Sequence, residues 1–328
     1  MRYLLLLLVA CGGKSDSIDS ESDIAGDTDT DTDTDTDTDA DADADSDCDI
    51  LPADNPWNTD ISGNDVHPLS ANYVASIGAS TTLHPDFGTE YPAGVPNGIP
   101  YVIVPGDQAR VPVSFDYYDE SDPGPYPIPP DAPIEGGPNG NGDRHVIALD
   151  LDNCMLYEMF NSWPQNNGDS WQAGSGAIFD LTTNDLRPDY WTSADAAGLP
   201  IYPGLVRYEE VVEDGVINHA LRFTVNNSQR AFIHPATHWA SSDTNPDLPP
   251  MGLRMRMRAN YDCNGFSQEV QVICTALKTY GMFMADNGSD WYISGSPDPR
   301  WSDDNLRDLR DIRGDAFEAV YTGDLVTN

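Results

Sequence analysis

Lysine is nearly missing from this chain. Lys14 and Lys278 are its only two, and lysine plus arginine number 16 against 55 acidic residues, a formal charge of -39. A surplus of that sign repels polyanions, so nucleic acid is excluded as a natural partner. Cysteine is scarce as well, with 5 in 328 residues, and their spacings fit no zinc knuckle. Acids abound, yet none follow EF-hand spacing. Long apolar runs are absent. The N-terminal one, Tyr3 to Val9, falls far short of the roughly 20 residues that a membrane-spanning helix needs.

The opening MRYLLLLLVACGG instead has the build of a signal peptide over residues 1–10, with Arg2 as a short positive region before the apolar run. Its end, Leu8-Val9-Ala10-Cys11, resembles the lipobox of bacterial lipoproteins. That resemblance implies cleavage before Cys11 and lipid on its sulfur and new amino group, with more than one acyl chain to hold the membrane. Residue 12 is Gly rather than Asp, so the expected address is the Gram-negative outer membrane, facing outward. Residues 11–50 carry 16 acids and one lysine, with Asp at every second position from Asp27 to Asp49. Like charges so spaced repel and offer no apolar group to bury, which predicts a disordered, extended tether.

The remaining residues, 51–328, still hold 39 acids against 14 arginine and lysine residues, a charge of -25. They read as a single β-rich domain. Apolar runs bounded by breakers recur: GIPYVIVPG at 98–106, HVIALDLDNCMLYEMF at 145–160 as a hairpin about Asp152-Asn153, VINHALRFTV at 216–225, and further short segments downstream. Helical spacing is seen twice, at Ser267–Tyr280 with Ser267 as N-cap and Gly281 beyond the end, and from Ser302 to about Ile312. The expected class is mainly β, a β-sandwich or jelly roll with two peripheral helices. The Pro/Gly-rich stretch from Asp122 to Asp143 reads as a long surface loop, of the kind that often carries function. Four cysteines besides Cys11 allow three pairings; Cys48 with Cys154 and Cys263 with Cys274 is preferred.

The stretches PADNPWNTDIS, GIPYVIVPGD, WTSADAAGLPIYPGLVRYEEV and YGMFMADNGSDWYISGSPDPRW resemble a family of uncharacterised secreted bacterial proteins. The resemblance spans most of residues 52–320 and implies no activity or catalytic residue.

Candidate chemistry therefore comes from pattern alone. In the 145–160 hairpin, Ile147 falls opposite Glu158 and His145 opposite Phe160, so His145 and Glu158 are diagonal neighbours on an otherwise apolar face. Ionisable groups set there need each other or a ligand, which suggests an acid/base pair, or a structural hydrogen bond. His219 repeats the pattern, with Glu210 opposite it if Asp214-Gly215 is a tight turn; a helical turn over RYEEVVEDG would break that pairing. The run LRMRMRAN puts Arg254, Arg256 and Arg258 on one face of a strand, either for internal carboxylates or for an acidic glycan, with Arg222 as a further substrate-binding candidate. Asp290, Trp291 and Tyr292 could stack on and hold a sugar, or fill a core. HPATH sets His234 and His238 at the spacing of two zinc ligands on a helix, but Pro235 and the lack of an intervening Glu speak against a metal, and no cofactor is expected. The functional expectation is a surface-anchored lipoprotein acting on an extracellular glycan as a polysaccharide lyase or glycoside hydrolase. The alternative is a non-catalytic glycan-binding or structural envelope lipoprotein. Radiolabelled palmitate should enter the full chain expressed in a Gram-negative host and be absent from Cys11→Ala; equal labelling of both would remove the lipid anchor.

Overall fold

A computed structural model describes residues 48–327 of the chain. The signal peptide, Cys11 and nearly all of the acidic tether lie outside the described residues. What is described is mainly β. The strands, in chain order, are β1 (His84–Asp86), β2 (Val102–Ile103), β3 (Val113–Phe115), β4 (Val146–Asp150), β5 (Met155–Phe160), β6 (Trp163–Gln165), β7 (Ser170–Ala173), β8 (Ser175–Asp180), β9 (Leu221–Val225), β10 (Arg254–Met257), β11 (Met282–Asn287), β12 (Tyr292–Ser294) and β13 (Phe317–Val320). They form three mixed sheets, ordered β1-β12-β9-β11-β10-β13, β2-β4-β5-β8 and β3-β7-β6. This is consistent with sheets stacked as a β-sandwich.

The β4–β5 hairpin has the register read from the sequence, with Ile147 opposite Glu158 and Leu149 opposite Leu156. Both of its faces are covered. Ile147, Leu149 and Leu156 join the main core with Leu221 and Phe223 of the six-stranded sheet. The other face, Val146, Ala148, Tyr157 and Met159, packs in a second core with Trp171 and Ala173 of the small sheet. A strand covered on both sides reads as a near-continuous apolar run, which VIAL is.

Helix α1 (Ser70–Ile77) lacks a clear sequence signal. Helix α2 (Gln268–Thr279) is as expected, and Gly281 follows it at φ +66°, a conformation that glycine adopts freely. Ser267 does not cap α2 with its side chain. Its hydroxyl donates to the Asn305 carbonyl at 3.0 Å, and its N–H donates to Asp308 at 2.7 Å, tying α2 to the next helix. That next helix, α3, covers only Asp303–Leu306 and tightens into a 3₁₀ turn over Arg307–Asp311. Both expected disulfides are present, Cys48–Cys154 and Cys263–Cys274.

The arginines of β10 share one face, as alternation requires, while Met255 and Met257 enter the main core. Arg254 lies 4.0 Å over the Phe283 ring and donates to the carbonyls of Tyr280 at 2.7 Å and Pro56 at 2.7 Å. Arg256 grips Glu318 at 2.8 Å and the carbonyls of Ile61, Ser62 and Asn64. Arg258 takes the other Glu318 oxygen at 2.9 Å. Arg254 and Arg256 thus pin residues 56–64 against the sheet and satisfy carbonyls that no strand pairs, while Arg258 also donates to the Asp315 carbonyl. They are engaged within the chain and are not free to hold a uronate.

Trp291 likewise serves the core. It is 0% exposed, its ring stacks with Phe223 and Phe317, and its Nε1 donates to the Gly78 carbonyl at 2.9 Å. Trp291→Ala should cost about 3–5 kcal/mol in urea-induced unfolding; a loss under about 1 kcal/mol would contradict this packing role.

Candidate functional site

Three cavities, of about 440, 240 and 410 Å³, adjoin through shared lining residues and are treated together as a candidate groove. The first contains His84, Tyr292 and Arg310. It shares Asp86, Tyr91 and Asn97 with the second, which adds Glu135 and Asp143. Asp143 also lines the third, with Tyr117, Ser193, Asp195, His238 and Asp286. Two tyrosines stand open to solvent on its walls, Tyr91 at 78% and Tyr117 at 55% exposure.

Beneath the third cavity lies a buried charge network. Arg222 of β9 donates from Nη2 and Nε to Oδ2 of Asp195, at 2.9 and 3.2 Å, and from Nη1 to the Ser294 hydroxyl at 2.6 Å. The second Asp195 oxygen accepts the Ala197 N–H at 3.1 Å. Arg222, assigned to substrate from sequence, is thus closed off by the protein's own carboxylate. Asp286 sits on β11 where the pairing register with β9 shifts after Met284. Such irregularities re-aim side chains, often beside active sites. Burial and the nearby negative charge of Asp195 push Asp286 up to about 7, against the pull of Arg222 and His145. A carboxyl group poised near neutrality in a cleft is suited to proton donation.

His145 is the second cation of the network. Its Nδ1 lies 2.7 Å from a Glu135 oxygen and its Nε2 lies 3.1 Å from the Ala194 carbonyl. Both partners are acceptors, so both ring nitrogens carry protons. Burial disfavours that cation, but Glu135 outweighs it and raises the ring to about 9. Glu135 pays the same desolvation cost and is still held below the usual carboxylate range by His145. The imidazole expected to act as a base is thus a fixed imidazolium with no free nitrogen. Its partner is Glu135, from the Pro/Gly-rich loop, rather than Glu158. Glu158 turns to the backbone N–H groups of Ile201, at 2.9 Å, and Tyr202, at 2.8 Å. Its burial raises it to about 7, with those N–H groups pulling the other way.

His219 belongs to a different cavity of about 400 Å³, lined by Arg207, Glu210, Asn58 and Asp49. The stretch before it forms a π-helical turn, Glu209–Glu213, in place of a hairpin arm. Glu210 still meets His219, at 3.1 Å, by way of that turn. Its Nδ1 faces the Ala220 carbonyl and its Nε2 faces Arg207, so this ring too is fully engaged. His145, Glu158 and His219 therefore do not converge on one substrate.

Of Asp290, Trp291 and Tyr292, only Tyr292 lines the groove, stacked flat on His84 at 4.0 Å. Asp290 accepts the Asn226 N–H at 2.8 Å and shapes a turn. His234 pairs with Asp189 at 2.8 Å, while Nδ1 of His238 takes the Ala196 carbonyl at 2.7 Å, so the two face different partners. Sequence reasoning passed over Asp86, Glu135, Asp143, Asp195 and Asp286. A usable signal existed for one of them: Asp286 ends the otherwise apolar run MFMAD.

No protein-family model matches the chain, and neither the curated proteins nor the solved structures searched contain a significant match.

The buried groups set a pH signature. Glu158 and Asp286 have folded-state values above their unfolded ones, so the folded state holds extra protons and stability falls as pH rises from about 4 to about 7. His145, raised to about 9, contributes stability that is complete below about 6.5 and lost as pH rises through 9. The loss that His145 contributes between pH 7 and 9 should reach roughly 2 kcal/mol and shrink sharply in Glu135→Gln, as read by urea unfolding. A wild-type decline that this variant reproduces in full would refute the assignment.

Proposed function

We propose that the described unit is a carbohydrate-active protein that takes an extended glycan along the groove and hydrolyses a glycosidic bond beside Asp286. The observation that carries this reading is Asp286 itself, a carboxyl raised to about 7 at the floor of an open cleft. Glycoside hydrolysis needs one protonated carboxyl for the leaving oxygen and a second carboxylate for water or C1. Asp286 fills the first role. Asp143, exposed and lining the same cavity, fills the second. Tyr91 and Tyr117 offer aromatic faces for sugar rings. Asp195, hydrogen-bonded to Arg222 and the Ala197 N–H, is a positioning residue: its charge adds to burial in keeping a proton on Asp286.

The groove argues for hydrolysis over β-elimination. A lyase must neutralise a uronate next to the bond it breaks, and the cationic groups near Asp286, Arg222 and His145, are already paired with Asp195 and Glu135. The acidic lining favours a neutral sugar at the point of cleavage. Stacking of the four-stranded sheet on the six-stranded one supports a β-sandwich, whereas the parallel pairs β1/β12, β9/β11, β2/β4 and β3/β7 speak against a jelly roll. The lipobox and tether support display on the outer-membrane surface, where a polysaccharide is within reach.

A second reading, glycan binding without turnover, draws on the same exposed tyrosines. One experiment separates them. The chain is incubated with a panel of neutral polysaccharides and new reducing ends are measured. With a cleaved substrate in hand, Asp286→Asn should lower kcat by about 100-fold or more while binding changes little. Cleavage by Asp286→Asn at the normal rate would overturn the catalytic assignment. Binding by the wild-type chain with no new reducing ends would leave the binding reading.

A further inference from the structure

The far end of the groove is chemically unlike its centre. We propose that Arg310 and His84 form a subsite for the carboxylate of an acidic sugar, at the end of a glycan whose cleaved linkage is neutral. This rests on the groove being a glycan site, and it adds one specific subsite.

Arg310 projects from the 3₁₀ turn Arg307–Asp311 into the 440 Å³ cavity. Of the two arginines lining that cavity, Arg307 is paired with Asp304 at 2.8 Å. Arg310 has no carboxylate within ion-pair distance among the described residues; its Nη2 donates to Nε2 of His84 at 2.8 Å. In a unit with so many spare acids, a guanidinium that ends on a neutral acceptor is open to an incoming anion. The carboxylates beside it are occupied or face elsewhere. Asp303 accepts the N–H and the hydroxyl of Thr89, and Glu90 accepts the Gly94 N–H at 2.7 Å. Asp86 leads toward the acidic centre.

His84 gives the pair its second charge. Arginine is only a donor, so Nε2 of His84 accepts and Nδ1 carries the proton. That Nδ1 is buried without a hydrogen-bond partner. Burial and Arg310 both favour the neutral ring, and its flat stack on Tyr292 fixes its plane. A carboxylate that accepts the Arg310 Nη2 N–H takes it away from Nε2 of His84, and its negative charge then favours a solvent proton on the freed Nε2, which donates to the ligand. The groups facing His84 and this cavity are Arg307, Arg310, Asp86, Glu90, Asp303 and Tyr292. A planar carboxylate matches the guanidinium fork. A dianion such as phosphate would meet stronger repulsion from Asp86, Glu90 and Asp303. Tyr91, on the wall of the same cavity, offers a face for the sugar ring.

The probes are D-glucuronate, methyl glucoside and acetate, titrated into the full chain with binding read by NMR on the His84 and Tyr292 rings. Glucuronate should shift both rings and raise the His84 titration midpoint. Methyl glucoside should do neither, and acetate should bind at least about 5-fold more weakly, for want of a ring. Arg310→Met, checked for an unchanged thermal midpoint, should weaken glucuronate binding about 10-fold or more, and Arg310→Lys should restore part of it. Undiminished glucuronate binding by Arg310→Met, or equal binding of glucuronate and either control, overturns the proposal. Because turnover is not read, Asp286→Asn should behave as wild type here. Failure of the hydrolase reading is therefore seen separately.

Discussion

The ion pair between Arg222 and Asp195 underlies the candidate site. Both partners are buried, and each draws its remaining hydrogen bonds from a different part of the chain, Ser294 for Arg222 and the Ala197 N–H for Asp195. The pair joins the middle of the six-stranded sheet to the loop that forms the cleft wall. Buried pairs contribute little net stability, because desolvation offsets most of the attraction. What this one does is set a negative charge beside Asp286, which adds to burial, against the pull of Arg222, in raising that carboxyl to about 7. Breaking it would leave an uncompensated charge in the core and a differently titrating cleft.

A wider pattern follows from the acid excess. Few cations are present, and several of those described are drawn inward. Arg144 takes the carbonyls of Gly137, Pro138 and Gly140 and lies 3.7 Å over the Trp163 ring; Arg254 and Arg256 take those of residues 56–64. Each satisfies backbone oxygens of irregular segments that sheets leave unpaired. Arginine suits this task, since its fork reaches several acceptors at once. Acids and no arginine line the centre of the groove, while Arg307 and Arg310 stand at one end.

The local readings of the sequence fared best. The β4–β5 register follows from alternation and a short turn, and both disulfide pairings agree with the structure. Contact between Glu210 and His219 is present, though through a π-helical turn rather than a hairpin. The reading of the histidines as free acid/base groups was not legible locally. His145 sits in an apolar strand context either way; its meaning changes because Glu135, ten residues back in an irregular loop, arrives at 2.7 Å. No periodicity reports where such a loop returns.

By itself, the sequence determined the mainly β character, the strand faces and the sign of the charge, and it left three cysteine pairings open. These depend on spacing and composition, which act over a few residues or over the whole chain. Only the tertiary structure decided which charges meet: Asp195 with Arg222 and Asp286, Glu135 with His145, Arg254 with distant carbonyls. Electrostatic interactions depend on separation in space and on burial, and neither is encoded by distance along the chain.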